Sequence, residues 1–454
     1  MAIQVNLKQV QKWLARKNLY EFIKCFWDAF DTTSEFIDSW LIEYQCECFM
    51  YSVKHFLPKY VWEDWVTDEQ YEEIKNLAQN DPKGNGLRPE CPVRDKLFNG
   101  QHVRNHDWNI GPRHMKSTIH NICGPTWLAI NTPITVASVS HNQTLSTEMN
   151  TKRQKLLQSQ KFAYYFGKDV ELKLKKSSAT ELELLNGSKL YSVPMVSFTG
   201  FGADLIIADD LITTDHARKG AEVLKNTISF FKDTLPTRRN NPKTSVIWQI
   251  QQRVGVGDVS GIIQDDKNLS QVYSHTELPA IFPRDEAIIF PCSGKVKFIK
   301  KGEYLWSARF GDYTDLQLSM SENEFNTQYN QDPTDSDLNI VKGTYIHWAT
   351  PEQAENIKQF AEFHYASHDC AVQDAKSNDF HGFNESYAKE NTLLITDAWE
   401  RHMGYIKEKE LMENLEMISP GLIQVVENKA NGAPLLQELK DSVPGLDSFD
   451  PGSK

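Results

Sequence analysis

Gly111-Pro112-Arg113-His114-Met115-Lys116-Ser117-Thr118 follows a short extended run and ends in Lys-Ser-Thr. A loop of this kind between a strand and a helix holds phosphates. Backbone N–H groups and the positive end of the helix face the phosphates, a lysine reaches the outer ones, and a Ser or Thr hydroxyl ligates Mg²⁺. Lys116 and Ser117 have these positions, whereas Met115 stands where the general pattern has glycine. Taken alone, the run is also compatible with an ordinary helix start.

A second stretch, farther along the chain, supplies the other half of such a site. Ala203-Asp204-Leu205-Ile206-Ile207-Ala208-Asp209-Asp210 is an apolar strand that ends in two carboxylates. At the edge of a sheet Asp209 can hold Mg²⁺ through water, and Asp210 can orient or deprotonate an attacking water. The alternative is a strand followed by an Asp-rich turn. The two stretches together predict an ATP-hydrolysing P-loop domain.

Strand and helix patterns alternate around these two stretches. Strands that alternate with helices indicate a largely parallel sheet covered on both faces, and two short alternating segments indicate a hairpin. The predicted elements, in chain order, are a strand into the loop at 111, a helix from Ser117, a strand over 134–140, a polar helix through Gln158, a hairpin over 170–175 and 181–185, a strand over 205–209 and a strand over 245–253.

The last of these strands ends in Gln251, Gln252 and Arg253. At a sheet edge, one of these side chains can sense the γ-phosphate and shift the segment 255–261. A polar turn at the end of a strand explains the same residues equally well.

Composition limits the class of protein. With 454 residues the chain is long enough for two or three domains, and 40% hydrophobic and 11% aromatic residues fit a folded protein. No apolar run reaches the length of a membrane span, and residues 1–8 lack the order of a signal peptide. The seven cysteines are scattered, so we expect an intracellular protein with reduced thiols. A net charge of −12 argues against coating nucleic acid over the whole surface, but permits a local basic track.

Four parts follow from these patterns. Residues 1–60 recur at helical spacing and predict a helical N-terminal segment. Residues 61–335 hold the nucleotide-binding stretches, and 336–360 is expected to be a linker. Residues 361–454 carry a second set of strands.

Acidic residues at strand ends mark the last part. Carboxylates delivered by adjacent strands can hold two divalent ions about 4 Å apart, the arrangement that activates water in phosphodiester cleavage. Carboxylates are also common at strand ends without any such role. The candidate metal ligands are Asp369, Asp379, Asp397 and Glu427.

The order of these motifs resembles the large terminase subunits of tailed double-stranded DNA bacteriophages, the ATP-driven motors that package genomes into procapsids. The resemblance spans residues 35–454. Its parts are 112–118 as a terminase-type Walker A loop, 205–210 as Walker B, Gln252-Arg253 with Asp258 and Gly261 as a coupling segment, 325–333 as the segment closing the ATPase domain, and 367–371, Asp379 and 427–432 in the nuclease domain.

The resemblance implies an α/β fold: an additional-strand P-loop ATPase domain with a mainly parallel sheet, then a partial ribonuclease H-like nuclease domain. It implies ATP and Mg²⁺ as cofactors, with Mn²⁺ possible at the nuclease site. The implied partners are double-stranded DNA, a portal protein, a small terminase subunit and further copies of the chain in a ring on the portal, with no membrane. The implied location is the cytoplasm of an infected bacterium, outside the mature virion.

Residue by residue, the resemblance implies two sites. Arg113 matches the arginine that contacts the γ-phosphate, and Asp210 stands where the family often has a catalytic glutamate. Arg253 belongs to the coupling segment. The implied nucleotide-site residues are Gly111, Pro112, Arg113, His114, Met115, Lys116, Ser117, Thr118, Asp209, Asp210 and Arg253, with Ser117 and Asp209 on Mg²⁺. The implied nuclease ligands are Asp369 and Glu427, with Asp397 a weaker candidate.

The family's nuclease continues past residues 444–446 to a final helix with the last metal-binding aspartate. We therefore expect a C-terminally incomplete nuclease that binds metal weakly and cuts poorly, unless Asp447 or Asp450 substitutes. Two other functions stay open: a P-loop helicase or nucleic-acid remodelling ATPase without nuclease activity, and a non-catalytic DNA- or portal-binding module.

Overall fold

The computed structural model describes residues 6–198, 200, 202–213, 221–333, 347–370, 381–428 and 432–450. The chain divides into two compact units, Met1–Ile340 and Val341–Lys454. Within the described ranges no helix combines the length and apolar character needed to cross a membrane.

The first unit is built from helices packed around a large sheet. Its α-helices are α1 (Leu7–Lys17), α2 (Leu19–Phe30), α3 (Trp40–Ser52), α4 (Lys59–Trp62), α5 (Asp68–Gln79), α6 (Pro92–Asp95), α7 (Gly124–Asn131), α8 (Gln143–Gln158), α9 (Gln160–Phe166), α10 (Ala221–Ser229), α11 (Val259–Asp265), α12 (Leu269–Val272), α13 (Ser307–Phe310), α14 (Thr314–Ser319) and α15 (Glu322–Gln328). Wider π-helical turns at Thr118–Cys123 and Phe230–Thr234 adjoin α7 and α10. Short 3₁₀ turns lie at Lys54–Phe56, Pro82–Gly84, Val170–Leu172, Met195–Ser197 and Leu235–Arg238.

The strands of this unit are β1 (Leu97–Phe98), β2 (Gln101–His102), β3 (Asn105–Ile110), β4 (Thr135–Ser140), β5 (Leu174–Ser177), β6 (Glu181–Leu184), β7 (Lys189–Pro194), β8 (Leu205–Asp209), β9 (Val246–Gln251), β10 (Tyr273–Leu278), β11 (Glu286–Ile289) and β12 (Val296–Ile299). Eight of them form one sheet in the order β10-β3-β9-β8-β4-β7-β6-β5. The run from β10 to β7 is parallel, and β7, β6 and β5 are antiparallel.

Both faces of this sheet are covered, as β8 shows. Successive side chains of a strand point to opposite faces. Leu205 and Ile207 pack into one core cluster, and Ile206 and Ala208 pack into another. All four side chains are fully buried, which explains why β8 reads as a continuous apolar run.

The N-terminal helices belong to the first of these clusters. α2 contributes Phe22 and Phe26, which are fully buried. Asn18 ends α1 and caps α2 by accepting a hydrogen bond from the Glu21 N–H. Arg16 of α1 forms an ion pair with Asp169 at 2.7 Å. The helical segment is therefore packed onto the sheet domain.

The second unit contains a mixed five-stranded sheet and helices. Its elements are α16 (Pro351–Gln359), β13 (Phe363–Asp369), β14 (His381–Lys389), β15 (Thr392–Arg401), α17 (Tyr405–Ile418), β16 (Ile423–Glu427), α18 (Gly432–Leu439) and β17 (Leu446–Phe449). The order is β15-β14-β13-β16-β17. β15, β14 and β13 are antiparallel, whereas β13, β16 and β17 are parallel. Met412 of α17 and Leu435 of α18 pack with Val426 and Cys370, so these helices cover one face of the sheet.

The predicted mixed α/β architecture with a largely parallel sheet is confirmed. The strands entering the loop at 111 and ending at Asp209 form as expected, and the polar helix ends at Gln158. The predicted hairpin also forms, but its first strand begins at Leu174 because Val170–Leu172 makes a 3₁₀ turn. The strands β7, β10, β11, β12 and β14 were not expected from the sequence.

Candidate functional site

Three strand ends meet at one edge of the large sheet. β3, β9 and β8 are parallel neighbours, so the segments that follow them leave the same edge. The loop 111–117 follows β3, Asp209 and Asp210 stand at the end of β8, and Gln252-Arg253 follows β9. Polar residues that are far apart in the sequence therefore lie together here.

The loop backbone is unusual at two residues. Arg113 has a φ of 64° and Met115 a φ of 70°, in the left-handed region that costs a non-glycine residue roughly 1–2 kcal/mol. Met115 thus has the conformation that the usual glycine adopts freely. Its side chain is buried in the main core cluster. Apolar burial at this position helps to offset the backbone strain.

His114 holds the loop from the core side. Its buried ring stacks on Phe310 with centroids 4.5 Å apart. Nδ1 lies 2.9 Å from the Pro112 carbonyl, and Nε2 lies 2.8 Å from the Tyr313 hydroxyl. Burial lowers the pKa of His114 to about 4, so the neutral ring donates from Nδ1 and accepts at Nε2. Gln45 donates to the His114 carbonyl at 3.1 Å. The His114 side chain thus clamps the loop rather than facing its open side.

The remaining loop residues have simpler places. A side chain at Gly111 would put its Cβ 3.2 Å from the His114 ring and 3.3 Å from Tyr329, so glycine gives the clamp its room. The side chain of Arg113 is exposed, Pro112 is half-buried, and Thr118 begins the following helix.

Lys116 joins the three strand ends. Its Nζ lies 3.1 Å from Asp210 Oδ1 and also donates to Gln252 Oε1. The lysine is only 5% exposed. A buried ammonium needs charged or polar partners at close range, and here one comes from the end of β8 and one from the segment after β9.

Asp209 lies behind this lysine and is fully buried. Its Oδ2 accepts a 2.5 Å hydrogen bond from Asn121 Nδ2. Burial and the charge of Asp210 raise the pKa of Asp209 to about 7, although Lys116 and hydrogen bonds from Ser117 and Asn121 oppose the shift. A crowded pair of carboxylates is the arrangement that a bound cation would relieve.

The oxygen atoms at this point suit a hard divalent cation. Mg²⁺ prefers carboxylate and hydroxyl oxygens, and Asp209 and Ser117 supply one of each in contact with each other. The donor set therefore fits the Mg²⁺ that the sequence predicts. Asn121 is not singled out by the sequence, although it follows Ser117 by four positions, the spacing that places two residues on one helix face.

Arg253 lies in a buried cluster of its own. Its Nε is 3.1 Å from both oxygens of Asp258, and its backbone N–H donates to Gln331 Oε1 at 3.0 Å. Asp258 also caps α11 by accepting from the Gly261 N–H at 2.9 Å. Burial raises the pKa of Asp258 and Arg253 opposes the shift. Arg253 thus connects the end of β9 to the first turn of α11.

A polar network lies beside this cluster, between β3 and β10. His275 Nδ1 is 2.7 Å from Asp107 Oδ2, and Asp107 Oδ1 accepts from the Ser260 hydroxyl at 2.8 Å. Burial alone would lower the pKa of His275, but hydrogen bonds to Asp107 and Glu277 outweigh it and raise the pKa to about 9. At neutral pH the charged imidazolium neutralises the buried Asp107 carboxylate.

This raised pKa predicts a pH-dependent stability. The pKa of His275 rises from about 6.5 when unfolded, so its ion pair stabilises the fold fully below that pH and loses this contribution as pH rises through about 9. We expect the parent to melt above His275→Asn by the widest margin near pH 6 and by the smallest near pH 10. Calorimetric melting across this range checks it, and a margin independent of pH would contradict it.

A second group of carboxylates lines an open cleft of about 760 Å³ in the second unit. Asp369 ends β13, Glu427 ends β16 and Glu400 lies near the end of β15, and all three border the cleft. Asp369 pairs across the sheet with Gly382, and Gly382 pairs with Glu400. Because paired residues share a face and glycine has no side chain, nothing on β14 separates Asp369 from Glu400.

The structure does not bring all the predicted nuclease ligands together. Asp397 pairs with Glu385, an odd number of positions from Glu400, and therefore projects on the opposite face of the sheet. Asp379 lies outside the described residues. Glu400 is absent from the sequence-based set, and the cross-strand register is what reveals it.

No protein-family model matches the chain, and no curated protein matches it. Solved structures with similar folds include the large terminase from a thermophilic bacteriophage, at 10% identity and a TM-score of 0.29 over 85% of this chain and 82% of that one. The HK97 bacteriophage large terminase is 12% identical with a TM-score of 0.37 over 89% and 85%. The Phi-28 gp11 DNA packaging motor is 10% identical with a TM-score of 0.27 over 77% and 92%. Likenesses this distant carry no functional conclusion by themselves.

Proposed function

We propose that the chain is a DNA-packaging motor of the large-terminase type, which uses ATP to translocate double-stranded viral DNA into procapsids. The observation that carries this proposal is the meeting of Lys116, Ser117, Asp209 and Asp210 at one edge of a parallel sheet. The order of motifs along the chain supports the terminase type over other P-loop ATPases. The acidic cleft of the second unit supports an accompanying endonuclease.

In the ATPase site the loop N–H groups and Lys116 would hold the phosphates, and Ser117 with Asp209 would hold Mg²⁺. When bound, Mg²⁺ neutralises phosphate charge. Lys116 exchanges its contact with Asp210 for phosphate oxygens, which frees the Asp210 carboxylate to orient water. The exposed Arg113 is available to contact the γ-phosphate.

The contacts around Lys116 also give the motor a path for its movement. Gln252 contacts Lys116 directly, and the neighbouring Arg253 is tied to Asp258 at the start of α11. A change of partner at Lys116 is therefore passed through two adjacent residues to the segment 255–261. A Cβ on Gly261 would lie 1.8 Å from the Val256 carbonyl oxygen, so this segment packs too closely for any side chain there.

The second unit would cut the concatemeric DNA. Asp369, Glu400 and Glu427 provide oxygen ligands for Mg²⁺ or Mn²⁺ at one cleft. Three antiparallel strands continued by two parallel ones, with helices packed on the sheet, are compatible with the ribonuclease H-like fold that the resemblance implies. These residues replace the sequence-based set that included Asp397.

The proposal extends to partners and place. We infer binding to double-stranded DNA, to a portal protein and to a small terminase subunit, with several copies of the chain in a ring on the portal. The site of action is the cytoplasm of the infected bacterium, and the protein leaves before the virion matures. Stimulation of ATP hydrolysis by double-stranded DNA, with ATP-dependent DNA uptake by portal-bearing procapsids, tests this function. Strand separation without uptake would favour a helicase.

The two carboxylates at the end of β8 should have separable roles. Asp209→Asn is expected to weaken Mg²⁺-dependent nucleotide binding, because Asp209 contacts Ser117 and Asn121 at the metal position. Asp210→Asn should leave binding nearly intact and lower turnover, since orienting water matters mainly in the transition state. Fluorescent-nucleotide titration and steady-state ATPase kinetics measure the two effects. Equal losses of affinity in both variants would contradict the division.

A further inference from the structure

Four polar side chains are buried on the helix-covered face of the second sheet, behind the acidic cleft. They come from three elements of the chain and lie beside the apolar cluster that contains Met412, Val426 and Leu435. None of them is among the residues proposed for DNA cutting. They are His368 near the end of β13, Cys370 directly after it, His381 at the start of β14 and Glu408 in α17.

Three of these side chains converge on one point. One donor atom from each of Cys370, His381 and Glu408 lies within 4.8 Å of the donor atoms of the other two. His381 Nδ1 is 3.0 Å from Glu408 Oε1, and His381 Nε2 is 3.2 Å from His368 Nδ1. His381 and Glu408 are 0% exposed and Cys370 is 8% exposed.

The spacing suits a tetrahedral metal ion. With metal–ligand bonds of about 2.0 Å to nitrogen and oxygen, neighbouring ligands of a tetrahedron stand about 3.3 Å apart. The 3.0 Å between His381 and Glu408 is close to this value, and Cys370 needs only a small approach. A thiolate and a carboxylate buried together carry two negative charges, which a divalent cation would offset.

The donor types distinguish this cluster from the acidic cleft. Thiolate and imidazole favour Zn²⁺, whereas sites made of carboxylates alone favour Mg²⁺ or Mn²⁺. A histidine that binds a metal through one ring nitrogen usually hydrogen-bonds through the other. With the metal on His381 Nδ1, His381 Nε2–H donates to His368 Nδ1, so His368 orients the ligand.

We propose that Cys370, His381 and Glu408 bind a structural Zn²⁺ ion. The ion joins the segment that leaves β13, the start of β14 and helix α17. Asp369 and Gly382 adjoin two of its ligands in sequence, so the ion braces the strand ends that carry one side of the acidic cleft. The competing arrangement is a metal-free hydrogen-bonded row of His368, His381 and Glu408.

Metal content of the full-length protein, purified without chelator, tests the proposal. We expect close to one zinc per chain by plasma mass spectrometry, and replacement by Co²⁺ should give a thiolate-to-cobalt absorption band. Cys370→Ser should remove this band, whereas Cys123→Ser, which alters a buried cysteine of the first unit, should retain it. Absence of zinc together with a Co²⁺ spectrum lacking the thiolate band would overturn the site.

Two further measurements cover a variant that fails to fold. On the parent alone, a zinc chelator should lower the melting temperature of the second unit, and added Zn²⁺ should restore it. Asp369→Asn should keep the thiolate-to-cobalt band, because its carboxylate projects from the other face of the strand. A melting temperature insensitive to chelation, or a cobalt spectrum lost in Asp369→Asn and kept in Cys370→Ser, would assign the polar row to hydrogen bonding or the metal to the cleft.

Discussion

Lys116→Ala should abolish ATP hydrolysis, with a loss of at least about 100-fold in turnover, and should stop DNA packaging with it. Lys116 is the buried cation at the meeting point of the loop, β8 and β9. Its ammonium would neutralise phosphate charge in the transition state, and no other lysine or arginine among the described residues is paired with Asp210 in this way. Phosphate release with and without DNA measures the effect. Circular dichroism and the melting temperature report whether the fold is kept.

The ion pair with Asp210 complicates this variant, because removing the lysine leaves two carboxylates facing each other. The double variant Lys116→Ala with Asp210→Asn removes one negative charge and should recover stability lost through that repulsion. It should remain inactive, since both proposed functional groups are gone. The exposed Lys152, paired with Glu148 on the surface of α8, provides a matched control: Lys152→Ala should hydrolyse ATP at the parental rate.

Two results would count against the assignment of the loop. Hydrolysis by Lys116→Ala at the parental rate, with an intact fold, would show that the lysine does not contact phosphate. Recovery of activity in the double variant would show that the single variant failed through charge repulsion and not through loss of a catalytic contact.

The nucleotide site was predictable from the sequence because its parts are local. A loop ending in Lys-Ser-Thr and an apolar run ending in Asp209-Asp210 each carry their own signal, and parallel neighbours bring strand ends to one edge. Even the departure at Met115 has a local meaning. The backbone keeps the left-handed conformation of the usual glycine at that position.

Side-chain partners from distant elements were not predictable. His114 belongs to the loop by sequence, but its ring lies among aromatic residues of the segment 310–329. The sequence indicates Arg253 as a possible phosphate sensor, whereas its guanidinium contacts Asp258. Both outcomes depend on how separate segments pack, and no spacing within one motif encodes that.

The nuclease ligands show a further limit, which is strand register. In β15 the sequence favours Asp397, because it follows an apolar run. A bulge between Glu385 and Ser386 shifts the pairing of β14 and β15, and a shift of one residue exchanges the two faces of a strand. The face of each carboxylate is therefore known only once the partner strand is known.

That difference of face gives the acidic cleft its sharpest test. We expect Mn²⁺-dependent cutting of plasmid DNA that Asp369→Ala, Glu427→Ala and Glu400→Gln each reduce by at least about 100-fold. Two carboxylates alone would hold metal weakly, as the sequence suggests, but Glu400 adds a third at the same cleft. Plasmid linearisation followed on gels measures cutting, with a melting curve for each variant.

Asp397→Asn is the matched control for Glu400→Gln, because both change a carboxylate to its amide on β15. Asp397 is exposed and pairs with Glu385, away from Asp369 and Gly382. It should cut like the parent. Gly382→Val adds a side chain between Asp369 and Glu400, where a Cβ would stand 3.4 Å from the Asp369 Cβ, and should reduce cutting without removing a carboxylate. If Asp397→Asn lost activity and Glu400→Gln kept it, the metal would lie on the other face of the sheet and the cleft would not be the nuclease site.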